Sequence, residues 1–255
     1  MANAAKIVTF INEKGGVGKT STCINLGAGL ALKGKKVLLC DLDPQGNTTT
    51  GLGIEKSSLK KSIYNVLIEG EKAMNAVIDT GVDNLKILPS NIDLAGAEVE
   101  LVPLKGREKR LQKALAEIKG EFDYIFIDCP PAIGLITING LASADGVLIP
   151  IQSEYYALEG LTQLMNTINL VKKALNPTLQ IEGVLITMYD GRALISRQIN
   201  EEITKYFGKK IYKTVIPRNI RISEAPSYGL PVMLHDKKCK GSIAYMELVE
   251  EFLGR

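Results

Sequence analysis

The sequence predicts an α/β protein built on a single doubly wound, mostly parallel sheet flanked by helices. Short apolar runs alternate with helix-favouring stretches along the 255 residues, which is the order that repeated strand–helix–strand units produce. Several runs, such as residues 36–42, are apolar almost throughout, as expected for strands covered on both faces. The first run passes through a glycine-rich turn straight into a helix-favouring stretch, the connection expected of a parallel crossover.

Composition indicates one domain over residues 1–255. The chain is 45% hydrophobic, enough for a large core, and contains no linker-like stretch. No apolar run approaches the ~20 residues that span a bilayer, and the start, MANAAK, lacks a signal-peptide core. The four cysteines form no C-x-x-C pair, so we expect reduced thiols without a disulfide or zinc framework, in a cytoplasmic protein.

Residues 14–20, KGGVGKT, have the pattern of a phosphate-binding loop between a strand and a helix. The glycines allow backbone N–H groups to surround an anion, and the following helix adds its positive N-terminus. Lys19 can reach terminal phosphates, and the Thr20 hydroxyl can ligate Mg²⁺. The predicted nucleotide contacts are consecutive: Lys14, Gly15, Gly16, Val17, Gly18, Lys19, Thr20 and Ser21.

The loop departs from the general pattern at its entrance. Glu13 replaces the first glycine, and Lys14 adds a second lysine. Because Lys19 already serves the bound phosphates, Lys14 is either solvated, paired with Glu13, or directed to a different nucleotide.

Carboxylates follow two of the apolar strands. Asp41 and Asp43 come at the end of residues 36–42, and Asp128 ends residues 122–128. Ligands of open α/β sheets collect at the carboxyl ends of the strands, so these side chains are expected at the nucleotide crevice. Asp128 has the Walker B position and is expected to hold Mg²⁺ through water.

The remaining elements follow from the apolar pattern. After the phosphate loop, the first helix is predicted over residues 20–33, with Gly34 at its end. Residues 48–81 are polar and are predicted to cross the active edge, with a short helical piece at 62–68. Further strands are predicted at residues 84–89, 146–151, 181–188 and 211–217. Further helices are predicted at residues 92–101, 108–119, 158–175, 195–206 and 241–253.

The cationic character is regional. The formal net charge is +3, but residues 182–240 contain eleven basic and six acidic side chains, so that segment carries a surplus of five positive charges. A polyanion-binding face needs such an asymmetry, although solvated lysines give the same count.

Four blocks together resemble the ParA/Soj-type chromosome-partitioning ATPases, which carry the deviant Walker A loop of the ParA/MinD superfamily. They are KGGVGKT, DLDPQGN, FIDCPP and PRNIRISEAPSYGLPV, in that family's order from Lys6 onwards. The resemblance implies an Mg²⁺-dependent ATPase in which Lys14 contacts the nucleotide of a second copy. ATP would thereby form a homodimer. It also implies that Lys19 binds phosphates, Thr20 and Asp128 serve Mg²⁺, and Asp43 positions the attacking water.

The resemblance further implies DNA binding and a protein partner. Arg192 and Arg221 match the family's DNA-contacting positions, so non-specific double-stranded DNA binding, nucleoid association and steep salt dependence are expected. Met188, Pro217 and Asn219 are the implied adenine contacts, and Arg197 is a possible additional DNA contact. The implied partner is a ParB-like centromere-binding protein that stimulates hydrolysis. Its identity, the cargo, the hydrolysis rate and any role in replication control stay open.

The sequence departs from the family at its N-terminus, and three other functions are compatible with the same type of loop. Only five residues precede Lys6, so no N-terminal DNA-binding extension is expected. A MinD-like membrane-cycling ATPase would end in a basic amphipathic helix, but the final helix here is acidic. We therefore expect no membrane partner. An iron–sulfur ATPase needs paired cysteines, which this chain does not offer in a suitable place. The basic C-terminal half and the PRNIRISEAP block argue against a small-molecule synthetase of the same fold, but the sequence leaves a substrate pocket open.

Overall fold

The computed structural model describes residues 4–154, 157–192 and 194–255, and the side chains of residues 157–159 and 194–197 are outside that description. The sheet has seven strands in the order β3-β4-β2-β5-β1-β6-β7. The strands are β1 (Lys6–Phe10), β2 (Val37–Asp41), β3 (Ile78–Asp79), β4 (Leu85–Leu88), β5 (Tyr124–Asp128), β6 (Gly146–Gln152) and β7 (Gln180–Thr187). All pairs are parallel except β3 with β4. The predicted mostly parallel sheet is confirmed.

Helices cover both faces of the sheet. The α-helices are α1 (Lys19–Leu32), α2 (Asn47–Gly51), α3 (Ala73–Ala76), α4 (Ala97–Glu100), α5 (Arg110–Ala116), α6 (Leu135–Ser143), α7 (Ala157–Ala174), α8 (Leu194–Phe207), α9 (Ile220–Glu224), α10 (Val232–His235) and α11 (Lys240–Leu253). A core on one face includes buried side chains of α5, α6 and α7, and a core on the other includes those of α1, α10 and α11. This double coverage explains why β2 is buried at every position.

Glycines allow α1 to pack closely against its neighbours. A Cβ at Gly29 would lie 2.5 Å from a methyl carbon of Val249 on α11, and one at Gly27 would lie 2.7 Å from a methyl carbon of Leu39 on β2. The predicted terminal glycine of α1 is confirmed, since Gly34 adopts a left-handed φ of +81° just after the helix.

The prediction of a strand at residues 211–217 is wrong. This segment makes isolated parallel bridges, from Ile211 to Val184 and from Pro217 to Tyr189. The N–H groups of Tyr212 and Ile216 donate to the carbonyls of Val184 and Ile186 of β7, each at 2.9 Å. Between them, the amides of Lys213 and Thr214 donate to the Glu251 carboxylate at 2.8 and 2.9 Å. A side chain of α11 therefore replaces the hydrogen bonds that would have continued the ladder.

Other helix predictions are correct in position but wrong in length. Residues 92–101 form a 3₁₀ turn (Ile92–Gly96) followed by α4, and residues 108–119 contain α5 preceded by a 3₁₀ turn (Arg107–Lys109). The predicted helical piece at 62–68 is a π-helix, Asn65–Glu69. The sequence-based expectations did not specify β3 or the helices α2, α3, α6, α9 and α10. Of these, α6 directly follows the loop after β5.

Candidate nucleotide-binding site

The strand order brings the predicted site residues to one edge of the sheet. In the pairing register, Phe10 of β1 and Asp41 of β2 both lie opposite Asp128 of β5. The segments that leave these three strands therefore start side by side. They are the loop before α1, the segment 42–46 before α2, and the segment 129–134 before α6.

The loop between β1 and α1 has the backbone conformation that its glycines permit. Gly16 and Gly18 have φ values of +74° and +90°, which side chains rarely adopt. No other heavy atom of the described residues lies within 4 Å of a Cβ built on Gly16, so the loop mouth is open. The Thr187 hydroxyl donates to the carbonyl of Val17 at 2.7 Å, which ties the loop to the end of β7.

Lys19 is the lysine inside this loop. Its side chain is buried, and its ammonium donates to the carbonyl oxygens of Asn12 at 2.9 Å and Lys14 at 3.1 Å. Burial lowers the Lys19 pKa, and the nearby carboxylates of Asp128 and Asp43 oppose that effect. The loop is thus held around a cation that faces the carboxylates of the neighbouring strands.

Asp128 is fully buried and receives two hydroxyl hydrogen bonds. Thr20 and Thr48 each donate to its Oδ2 at 2.7 Å. Its Oδ1 is buried without a hydrogen-bond partner among the described residues. Burial raises the Asp128 pKa to about 6. A hydroxyl beside a carboxylate with an unused oxygen fits a hard cation such as Mg²⁺, so the donor set matches the predicted metal site.

Asp43 lies half-buried at the same edge. Its Oδ1 accepts the backbone N–H of Gln45 at 2.9 Å, and its own N–H donates to Asp41 Oδ1 at 3.1 Å. Asp41, by contrast, is fully buried, and burial and the charge of Asp128 raise its pKa to about 7. The prediction that both aspartates face the nucleotide crevice is wrong for Asp41, because its carboxylate is buried and accepts hydrogen bonds from Thr49 and from the Asp43 N–H.

Lys14 lies apart from Lys19. Its side chain is 47% exposed, and its ammonium forms an ion pair with Glu154, which is 50% exposed. Of the three possibilities left by the sequence, pairing with Glu13 is wrong for this conformation. The Lys14 backbone remains part of the loop, since its N–H donates to Asn12 Oδ1 at 3.0 Å.

A cavity of about 290 Å³ adjoins the start of α1. It brings together the predicted contacts Gly18, Ser21, Met188, Pro217 and Asn219. Sequence reasoning missed several further lining residues: Thr187, Ile216, Arg218, Ile220, Ile222, Ser223 and Tyr245. The position of this cavity beside the loop suits the base or ribose of a nucleotide.

The two predicted DNA-contacting arginines are exposed and paired with carboxylates. Arg192 binds Asp190 through Nε and Nη2, each at 2.9 Å. Arg221 binds Glu224 at 2.7 Å and lies 3.5 Å from Asp236. The side chain of Arg197 is outside the described residues.

The final helix has its apolar face inside the protein. Tyr245, Leu248, Val249 and Phe252 of α11 are buried in the core that includes α1. None of the helices in the described part of the chain has the length and apolar character that a membrane crossing requires. The buried face of α11 is therefore not presented to a lipid surface.

The cysteines are dispersed through the fold. All four are free, with Cys23, Cys40 and Cys129 buried. Cys239 precedes α11, where its sulfur accepts the N–H of Ser242. Within the described residues, no cluster of three or more His, Cys, Asp or Glu side chains is placed to hold a metal ion.

These features define a P-loop nucleoside-triphosphate-binding protein. Residues 5–181 match a family model described as an AAA domain. The chain is 54% identical over 246 residues to the sporulation initiation inhibitor protein Soj of Bacillus subtilis, covering 96% of this chain and 97% of that protein. It is 49% identical over 254 residues to the chromosome partitioning protein ParA of Myxococcus xanthus, covering 100% and 90%. The chain belongs to the ParA/Soj family of P-loop ATPases.

A solved structure of a protein with a different named function has a similar fold. The cobyrinic acid a,c-diamide synthase of Mycobacterium smegmatis, with a bound ATP analogue and magnesium, has a TM-score of 0.86 and 38% identity. The alignment covers 98% of this chain and 97% of that one. Because a protein named as a synthase has a similar fold, the fold by itself does not distinguish a partitioning function from a synthetic one.

Proposed function

We propose that this protein is a DNA-partitioning ATPase that cycles between a monomer and an ATP-bound sandwich dimer. In the dimer it binds DNA non-specifically, and hydrolysis stimulated by a ParB-like partner releases it. The observation that carries the proposal is the separation of the two loop lysines. Lys19 is buried inside the loop, whereas Lys14 is exposed and forms its ion pair outside it. A cation in that place is available to a nucleotide held by a second subunit.

The proposed chemistry is hydrolysis of the terminal phosphate of ATP. Loop N–H groups and Lys19 bind the phosphates, and Thr20 and Asp128 hold Mg²⁺, which when bound neutralises phosphate charge. Asp43 orients the attacking water, since phosphoryl transfer depends mainly on alignment and electrostatic stabilisation. Its half-buried position near Lys19 and Asp128 supports this role.

The base and the dimer contacts extend the same proposal. Met188, Pro217 and Asn219 contact the base in the cavity beside Ser21 and Gly18. Lys14 contacts the partner's triphosphate. A closed dimer doubles the DNA-facing residues on one surface, so ATP binding controls DNA affinity without new contacts within the monomer.

The proposed DNA contacts are Arg192 and Arg221, which suit phosphate oxygens through their planar guanidinium groups. Both are exposed, and their carboxylate partners are also accessible, so exchange of those partners for DNA phosphates requires no unfolding. Exposed pairs of this kind are screened by water and salt, so breaking them costs the fold little. The local surplus of positive charge in residues 182–240 supports the same surface.

The central test is ATPase activity with duplex DNA and the cognate ParB-like protein, added singly and together. We expect low basal turnover and the largest stimulation when both are present. Asp43→Ala should bind ATP but hydrolyse it at least tenfold more slowly. A turnover rate that does not change when DNA, the partner or both are added would contradict the partitioning function. It would favour a small-molecule enzyme of the same fold.

The DNA surface is tested by the salt dependence of binding to unrelated duplexes. Two arginines in each subunit give four phosphate contacts in a dimer, so Arg192→Ala/Arg221→Ala should reduce the slope of log K against log salt by roughly 3 to 4. Lys205→Ala is the matched control, because Lys205 is also exposed and paired in the basic segment. Equal slopes for the double variant and the parent would remove both arginines from the interface.

A further inference from the structure

The first turn of α2 contains two adjacent buried threonines, each bonded to a strand-end carboxylate. Thr48 donates its hydroxyl to Asp128 Oδ2, and Thr49 donates its hydroxyl to Asp41 Oδ2, both at 2.7 Å. Both threonine side chains are fully buried although they are polar. Asp41 and Asp128 lie opposite each other in the register of β2 and β5. One helical turn therefore holds the ends of two neighbouring strands.

Thr49 is part of a network that reaches Asp43. Asp41 Oδ2 accepts both the hydroxyl and the N–H of Thr49, at 2.7 and 2.8 Å, and Asp41 Oδ1 accepts the N–H of Asp43 at 3.1 Å. The N–H of Ser90, just beyond β4, donates to the Thr49 hydroxyl oxygen at 3.0 Å. The backbone at Asp43 is thus fixed through Asp41 to α2 and to the segment after β4.

Thr48 acts on the other carboxylate. Asp128 Oδ2 accepts the hydroxyls of both Thr20 and Thr48, while Oδ1 has no hydrogen-bond partner among the described residues. Two donors on one oxygen restrict rotation of the carboxylate. The other oxygen is thereby kept available at the site that fits Mg²⁺.

We propose that Thr48 and Thr49 are positioning residues for ATP hydrolysis: Thr49 fixes the Asp43 backbone through Asp41, and Thr48 orients the Asp128 carboxylate for the metal. The inference deepens the proposed function, since it rests on the roles given there to Asp43 and Asp128. It also separates the two threonines, because one serves water alignment and the other serves metal use.

The two substitutions therefore have different kinetic effects. Thr49→Val, which keeps the side-chain shape but removes the hydroxyl, should lower kcat about tenfold and leave the KM for ATP within about twofold. Thr48→Val should raise the Mg²⁺ concentration for half-maximal turnover at least about threefold, with kcat near the parent value at saturating Mg²⁺. Thr48→Ser and Thr49→Ser keep the hydroxyls and should restore each parameter.

Thr50→Val is the matched control. Thr50 is exposed in the same short helix, and among the described residues its hydroxyl donates only to the carbonyl of Gly46, at 3.1 Å. It should leave kcat, KM and the Mg²⁺ requirement unchanged. A purely structural role for Thr48 and Thr49 would instead lower the melting temperature without changing these kinetic parameters.

Readouts without turnover complete the test. Amide hydrogen exchange of residues 43–50 should become faster in Thr49→Val, and binding of a non-hydrolysable ATP analogue should require more Mg²⁺ in Thr48→Val. Parent-like kinetics and exchange in both valine variants, or failure of serine to restore them, would overturn the inference. If the parent itself fails to hydrolyse ATP with DNA and the partner present, the proposed function fails, and exchange and analogue binding still decide the positioning roles.

Discussion

Replacing Lys14 with alanine should separate nucleotide binding from the proposed ATP-dependent dimerisation. The Lys14–Glu154 pair joins side chains that are 47% and 50% exposed, and exposed pairs contribute about 0.2–1 kcal/mol to folding. For a protein of this size, that corresponds to a melting shift below roughly 4 °C. The monomer of Lys14→Ala should therefore remain folded.

The substitution should also leave nucleotide affinity nearly unchanged. The Lys14 backbone carries its contributions to the loop, since its N–H donates to Asn12 and its carbonyl accepts from Lys19. Alanine keeps both bonds. In the proposed symmetric dimer, however, the substitution would remove two ammonium–phosphate contacts, each worth at least about 2 kcal/mol when desolvated. The dimer should weaken by roughly a thousandfold or more.

The assay is light scattering with a non-hydrolysable ATP analogue, together with titration of a fluorescent nucleotide. Lys33→Ala is the matched control, because Lys33 also forms an exposed ion pair, with Glu250, at the opposite end of α1. Glu154→Gln removes the partner of Lys14 and should leave the dimer intact. An ATP-dependent dimer of Lys14→Ala with parent affinity would refute the reasoning, as would loss of nucleotide binding in the monomer.

Three further predictions concern the fold around the site. Burial raises the pKa of Asp41 to about 7 and that of Asp128 to about 6, so the folded apo protein binds more protons than the unfolded chain between about pH 4 and 7. Its stability should fall as pH rises through that window, and Asp41→Asn should flatten a melting series from pH 5 to 7.5. Gly29→Ala places a Cβ 2.5 Å from a methyl group of α11 and should lower the free energy of unfolding by about 1–3 kcal/mol. Gly120→Ala, where no heavy atom of the described residues lies within 4 Å, should leave urea denaturation unchanged. Glu98→Ala removes the carboxylate that accepts two N–H groups at the start of α6, at 2.8 and 3.1 Å, and should speed hydrogen exchange there, corresponding to about 0.5–2 kcal/mol.

The buried parallel strands were predictable because their signal is local. A strand covered on both faces must be apolar along its length, and β2 and β5 show this directly in the sequence. Helix α6 was not predictable in the same way. Its sequence, LITINGLAS, contains β-branched residues and a glycine, which are modest helix formers. The Glu98 carboxylate, distant in the sequence, caps its first turn.

The residues of the candidate site also differ in whether a local sequence pattern specifies them. The placement of Lys19, Thr20 and Asp128 at one edge of the sheet was predictable, because a loop motif and a strand end specify these positions. Thr48 was not predictable, because its hydrogen bond to Asp128 crosses 80 positions of sequence. The sequence alone does not distinguish Thr48 from any other polar residue after a loop. Its role depends on the strand register, which places that loop beside β5. The hydrogen bonds from the N–H groups of Lys213 and Thr214 to the Glu251 carboxylate were not predictable for the same reason.

The two lysines of the loop differ in the burial of their ammonium groups, and this determines which partners each of them needs. Lys19 is buried at 7% exposure, so its ammonium needs hydrogen-bond acceptors, which the Asn12 and Lys14 carbonyls supply. The cation is thus held in place before any phosphate arrives. Lys14 has no such requirement, since solvent and Glu154 satisfy an exposed ammonium. Exchanging an exposed carboxylate for the phosphate of a second subunit changes little within the monomer. The same exchange at Lys19 would rearrange the loop, which is why the proposed intermolecular contact involves Lys14 and not Lys19.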